Sequence, residues 1–127
     1  MSEFPSEFQD LLQDDIRAYA CLATLMPDGS PQVTPLWFTW DGTHIIINTM
    51  KGRVKDRNMR KDHRVALAIF DPRDLGRYLQ VRGEVVEITE SGADEMINRL
   101  AMKYTGSGWG GGPGIRVTYR ILPRWSK

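Results

Sequence analysis

The feature that most constrains the fold is a series of short apolar segments separated by residues that favour turns. Residues 27–30 have the composition of a turn, and Asp41-Gly42 is typical of a two-residue hairpin. The segment 64–70 is apolar on both faces, as in a central strand. Gly83 interrupts the longest segment and predicts a bulge or a sharp bend. Six strands are therefore predicted, over residues 18–26, 32–40, 44–49, 64–70, 77–89 and 115–124.

These strands predict a mainly β fold. The first three are expected to form an antiparallel meander, and all six to form a small closed or nearly closed barrel with helices at its ends. One helix is predicted over residues 6–16, where Ser6 and Gln9 have the spacing of a capping box. A second is predicted after Ser91, with an apolar stripe that runs to Tyr104. The glycine-rich residues 106–114 are predicted to form a loop.

Length and composition limit the class of protein. The chain has 127 residues, enough for one domain over residues 1–127, and its 41% hydrophobic and 26% charged residues exclude a disordered chain. A net charge of +1 argues against a nucleic-acid-binding protein, and no apolar run has the roughly 20 residues that cross a membrane. The acidic start differs from a signal peptide, and the single cysteine, Cys21, is expected in the core; both favour the cytoplasm.

The charge is concentrated between a predicted strand and a predicted short helix. Residues 51–64 contain seven basic and two acidic side chains, a local net charge of +5. Such a cluster at a helix start is suited to a phosphate group, and Thr49 could add a hydroxyl donor. A solvated basic helix face explains the same pattern, and the composition of the run does not separate the two interpretations.

Pro35 stands inside a predicted strand, although proline cannot donate to a strand ladder. Either this is an edge position or a bulge, or the backbone edge there, with Leu36 and Trp37, faces a flat ligand. His44 and His63 have no partners at metal-ligand spacing, so no metal site is predicted. The sequence offers no convincing nucleophile and no acid–base pair, so the catalytic residues remain unassigned. Any catalysis is expected to depend on a cofactor.

Four segments carry a resemblance when they are taken in order. They are YACLATL at 19–25, DGSPQVTPLWF at 28–38, RVKDRNM at 53–59 and RYLQVRGEVVEIT at 77–89. Together they resemble the pyridoxamine 5′-phosphate oxidase-like split-barrel flavoproteins, and within them the branch that uses the deazaflavin coenzyme F420. The resemblance covers residues 8–125 and implies a six-stranded antiparallel split barrel and a homodimer with the cofactor at its interface.

The resemblance also implies an activity and a site. The activity is hydride transfer from reduced F420 to a small electron-poor organic substrate; the alternatives are an FMN oxidoreductase, or a flavin carrier or sensor without turnover. Tyr78 is expected to approach the cofactor from the partner side. The basic pattern that binds the oxidase's own substrate is missing, so vitamin B6 oxidation is not expected. The cofactor-binding residues implied are Pro35, Leu36, Trp37, Asn48, Thr49, Arg53, Val54, Lys55 and Tyr78.

Overall fold

A computed structural model describes residues 4–127, which form one antiparallel sheet with two α-helices. The order of the strands in the sheet is β2-β1-β5-β6-β7-β4-β3. The mainly β prediction is confirmed, with seven strands instead of six. The elements are β1 Tyr19–Leu25, β2 Pro31–Leu36, β3 Thr39–Trp40, β4 Ile45–Met50, α1 Val54–Lys61, β5 Arg64–Asp71, β6 Asp74–Thr89, α2 Ala93–Thr105 and β7 Arg116–Ser126.

The predicted strand 32–40 is in fact two strands at opposite edges of the sheet. β2 pairs with β1, whereas β3 pairs with β4, so the chain crosses between the edges at Trp37 and Phe38. The predicted three-stranded meander is therefore wrong. The Phe38 amide donates to the Tyr104 hydroxyl at 3.3 Å, so a side chain takes the place of a strand neighbour there. Pro35 lies in the edge strand β2, where a missing amide donor is tolerated.

One face of the sheet carries the core. Side chains in β1 and β5 alternate between buried and half-buried, as expected for strands with one face turned inward. β5 lies between β1 and β6, which confirms it as a central strand. Helix α2 packs its predicted apolar stripe inward. The largest fully buried side chains are Tyr119, Phe38, Leu11, Leu22, Ile45, Ile46, Ile47, Met59, Ile69, Leu79, Leu100 and Ile121.

The longest strand, β6, has an irregularity at Gly83, in agreement with the predicted bulge. The register with β7 shifts between Arg82 and Gly83. A Cβ atom at Gly83 would lie 2.9 Å from the Leu122 carbonyl oxygen and 2.9 Å from a methyl group of Ile121. Only glycine allows the two backbones to approach this closely, so the bulge is built into the sequence.

Three local predictions are wrong. Residues 6–16 form two short 3₁₀ helices, Ser6–Leu12 and Asp14–Ile16, with no side-chain cap; Gln9 donates instead to the Phe4 carbonyl. Gly92, whose φ is 74°, precedes α2 in place of a Ser91 cap. Cys21 is half-buried on the sheet face opposite the core.

Membrane-spanning helices and metal-binding clusters are both absent from the described residues. Across residues 4–127, no helix is long and apolar enough to span a membrane. In the same part of the chain, no group of three or more histidine, cysteine or acidic side chains is placed to hold a metal ion.

Candidate cofactor-binding site

A groove of about 320 Å³ opens where the end of β2, the end of β4 and the start of α1 meet α2 and β7. Residues 37 and 38 connect β2 at one edge of the sheet with β3 at the other edge. This connection places the end of β2 beside the groove. The structure thus gathers side chains from distant parts of the sequence. Seven of the nine residues implied by the resemblance line the groove: Pro35, Leu36, Trp37, Asn48, Thr49, Arg53 and Lys55.

Three cations converge at one end of the groove: Arg53, Lys55 and Arg116, which we call the phosphate clamp. No carboxylate within residues 4–127 forms an ion pair with any of them. Burial, followed by repulsion from Arg53 and Arg116, lowers the pKa of Lys55. Burial, followed by Arg53, likewise lowers the pKa of Arg116, although the charge of Asp94 partly opposes this. An anion in the clamp would relieve this repulsion, so the donor set fits a phosphate ester.

Asn48 and Thr49 complete the polar end of the groove. Asn48 is buried; its Oδ1 accepts a hydrogen bond from Arg116 Nε at 2.9 Å, and its Nδ2 donates to the Ala93 carbonyl at 2.9 Å. Asn48 therefore orients Arg116 within the clamp. Thr49, the next residue of β4, lines the groove beside them.

Aromatic side chains form the other wall. Trp37 stacks on Tyr104 with ring centroids 5.3 Å apart, and Trp109 meets Trp37 edge-to-face at 6.3 Å. The Tyr104 hydroxyl donates to the Ala18 carbonyl at 2.5 Å, which fixes the ring beneath Trp37. The guanidinium of Arg116 lies 5.1 Å from the Trp109 ring centroid. The groove therefore joins a cationic end to a flat apolar wall.

Four lining residues were missed by the sequence interpretation: Ile97, Leu100, Trp109 and Arg116. Ile97 and Leu100 belong to the stripe of α2 assigned to the core, and they are indeed buried. Arg116 begins the last strand and Trp109 lies in the glycine-rich loop, both more than 40 residues beyond the end of the basic run. Only the pairing of β4 with β7 brings Arg116 opposite Met50 and so close to Arg53 and Lys55.

Two of the nine implied residues lie outside the groove of this chain. Val54 is the first residue of α1, half-buried, and does not line the groove. Tyr78 lies on β6 opposite Phe70 and is 44% exposed. Since the resemblance assigns Tyr78 to the partner side of the cofactor, its role stays a prediction.

The turn before α1 is held by a buried carboxylate. Asp56 Oδ2 accepts the Gly52 amide at 2.9 Å, and Oδ1 accepts Tyr119 OH at 2.5 Å and Arg60 Nε at 2.9 Å. Burial opposes ionisation of Asp56, but the hydrogen bonds from Gly52, Tyr119 and Arg60 together lower its pKa. The basic run therefore contains two kinds of cation. Arg60 forms an ion pair with Asp56, whereas Lys55 forms none within the described residues.

Comparison with known proteins agrees with this architecture. The sequence profile of the pyridoxamine 5′-phosphate oxidase family matches residues 4–118. Among solved structures, an F420 reductase is 32% identical, with a TM-score of 0.85 over 97% of this chain and 98% of that one. A conserved hypothetical protein from Mycobacterium tuberculosis is 25% identical, with a TM-score of 0.71 over 98% and 84%.

More distant structures share the fold. A protein from Mesorhizobium loti described as FAD-binding is 23% identical, with a TM-score of 0.68 over 94% of this chain and 89% of that one. No functionally curated protein matches the sequence significantly. The match over residues 4–118, together with the sheet topology, shows that this chain belongs to the pyridoxamine 5′-phosphate oxidase family and has its split-barrel fold.

Proposed function

We propose that the protein is an oxidoreductase that binds coenzyme F420 and passes hydride from its reduced form to a small electron-poor organic substrate. The observation that carries the proposal is the phosphate clamp, three cations that form no ion pair with a carboxylate in residues 4–127, at the end of an aromatic groove. The 32% identity to an F420 reductase over nearly the whole chain supports the deazaflavin form of the cofactor.

The residues fit both parts of such a cofactor. The clamp would hold the phosphate by charge-assisted hydrogen bonds, each contributing about 1.5–3 kcal/mol. Pro35, Leu36 and Trp37 would lie along the flat ring, where the edge of β2 has no neighbouring strand. Because Tyr104 fixes Trp37 from behind, this wall is formed before the ring arrives.

The chain's part in the reaction is binding, orientation and exclusion of water. When bound, a reduced deazaflavin supplies a hydride and reacts poorly with oxygen. The groove lining within the described residues contains no aspartate, glutamate, histidine or cysteine side chain. Trp37, Ile97 and Leu100 would shield one side of the groove from water and so restrict where a substrate can approach.

We also propose that two copies of the chain form a homodimer that completes this site. The outer face of β1 and β5 presents small apolar side chains, Cys21, Ala23, Ala66 and Ala68, in a shallow groove of about 380 Å³. Cys21 lies opposite Pro35 in the strand register, so this face adjoins the cofactor groove. The small side chains would let a second copy approach closely.

Sedimentation velocity at micromolar concentration tests the dimer. An obligate interface of the expected class buries roughly 2,000 Å² or more, so we expect a single dimeric species. Ala68→Glu should dissociate it and weaken cofactor binding. A monomeric wild-type protein that still binds the cofactor tightly would contradict the dimer.

Turnover and titration test the function. The purified protein is titrated anaerobically with F420 and with FMN, followed by tryptophan quenching, since Trp37 and Trp109 line the groove. Oxidation of reduced F420 is then followed by the appearance of the visible absorbance band of the oxidised form, with an activated enone as the acceptor. Tighter binding of F420 and enone-dependent oxidation support the proposal.

Other outcomes would favour the alternatives. Preferential binding of FMN with turnover would identify an FMN oxidoreductase, because the clamp fits either phosphate. The second alternative is a flavin carrier or sensor without turnover. Tight binding with no turnover on any acceptor would support it.

A further inference from the structure

We propose that Asp56 and Tyr119 are positioning residues for the phosphate clamp. Their hydrogen bond links the start of α1, which carries Arg53 and Lys55, to the strand that carries Arg116. The inference rests on the proposed function, because it concerns how the same cofactor site is held in its binding geometry.

The first argument is the placement of Asp56 in the third position of α1. Arg53, which precedes the helix, makes no side-chain cap, so the turn lacks the usual hydroxyl or carboxylate at that position. Asp56, 2% exposed, reaches back to the Gly52 amide at 2.9 Å and closes the turn from inside the helix. This carboxylate therefore helps to set the path of the backbone through Arg53 and Lys55, together with Arg57, whose Nη1 donates to the Gly52 carbonyl at 2.5 Å.

The second argument is that Tyr119 lies in the core of the sheet. Tyr119 is fully buried on β7, three residues after Arg116, and pairs with Ile47 of β4. Its hydroxyl donates to Asp56 Oδ1 at 2.5 Å. Burial, and then the hydrogen bond to Asp56, raise the pKa of Tyr119, so the hydroxyl keeps its proton and remains a donor. The bond thus connects the rigid sheet to the start of α1.

The third argument is electrostatic. The charge of Asp56 is shared with Arg60 at 2.9 Å, and no ion pair joins Asp56 to a cation of the clamp. Its carboxylate fixes the geometry of the turn without occupying Arg53 or Lys55. A carboxylate that paired with either cation would compete with a phosphate for the same donors.

The test compares Tyr119→Phe with Ile121→Val. Tyr119→Phe keeps the ring in the core and removes only the hydroxyl. Ile121→Val, at a fully buried position of the same strand, lowers stability without touching the clamp. Each variant is titrated with F420 and with the same deazaflavin lacking the phosphate and everything beyond it. Exchange of the Gly52 amide proton is measured in the cofactor-free protein.

For Tyr119→Phe we expect about 5- to 30-fold weaker binding of F420, less than twofold change for the phosphate-free compound, and at least tenfold faster Gly52 exchange. Ile121→Val should change neither the binding ratio nor local exchange at Gly52. Equal weakening for both compounds, or unchanged exchange at Gly52, would overturn the inference. A wild-type protein that does not distinguish the two compounds would overturn the proposed function, and the exchange measurement would still decide whether Tyr119 holds the turn.

Discussion

Replacing Lys55 by alanine should separate a binding site from a solvated helix face. Lys55 lies beside Arg53 and Arg116 and forms no ion pair with a carboxylate within residues 4–127, and burial with these neighbours lowers its pKa. Its charge is therefore unfavourable for folding at neutral pH. Lys55→Ala should leave the melting temperature of the cofactor-free protein unchanged or raise it.

Cofactor affinity should change in the opposite direction. A charge-assisted hydrogen bond to phosphate contributes about 1.5–3 kcal/mol, and about 1.4 kcal/mol corresponds to a factor of ten. Because Arg53 and Arg116 remain, we take all but the top of this range. Lys55→Ala should weaken the binding of F420 by about 10- to 100-fold.

The assay is a tryptophan-quenching titration at two salt concentrations, with Lys61→Ala as the matched control. Lys61 belongs to the same basic run but is exposed and does not line the groove. Arg60 is unsuitable as a control because it pairs with the buried Asp56. Equal losses for both alanine variants, shrinking together as salt rises, would refute the clamp and favour a diffuse basic surface.

Three further predictions concern stability and are read from urea or thermal unfolding. The hydrogen bonds from Arg64 lower the pKa of Asp62 from 3.8 to about 2, so the stabilising contribution of Asp62 is present above about pH 4 and should fade as the pH falls towards 2. Asp62→Asn should flatten this pH dependence of stability. An unchanged pH profile in that variant would contradict the prediction. Gly112→Ala should stabilise the fold by about 0.4–1 kcal/mol, because open space surrounds that position and its φ lies outside the left-handed region. Gly111→Ala should destabilise the fold, because the φ of Gly111 is 87°. The reverse order of stabilities would contradict the argument. Gly83→Ala should cost about 1–3 kcal/mol because its Cβ would meet β7 at 2.9 Å, and a neutral effect would show that the bulge relaxes.

The strands could be predicted because their signals are local. Turn residues and alternating apolar side chains place β1, β4, β5, β6 and β7 close to their observed bounds. The pairing of the strands has no such local signal. Segment 32–40 has the pattern of one continuous strand, but its two halves join opposite edges of the sheet, and Phe38 between them donates to Tyr104, 66 residues away.

The candidate site was predictable in part for the same reason. The basic run and Pro35 are visible as local anomalies, and the order of four motifs connects them to a family. Arg116 and Trp109 carry no anomaly of their own, because an arginine opening a strand and a tryptophan in a loop are ordinary. Their role depends on the pairing of β4 with β7 and on the contact of Trp109 with Trp37.

The most direct test of the central claim compares two ligands in the wild-type protein. F420 and the same deazaflavin without its phosphate and tail share the ring that would lie along Trp37, so their affinities differ only through contacts beyond the ring and its sugar alcohol. If the three clamp cations hold the phosphate, F420 should bind at least 100-fold more tightly, and the difference should shrink as salt rises. Equal affinities would show that the clamp does not hold the phosphate and would contradict the account.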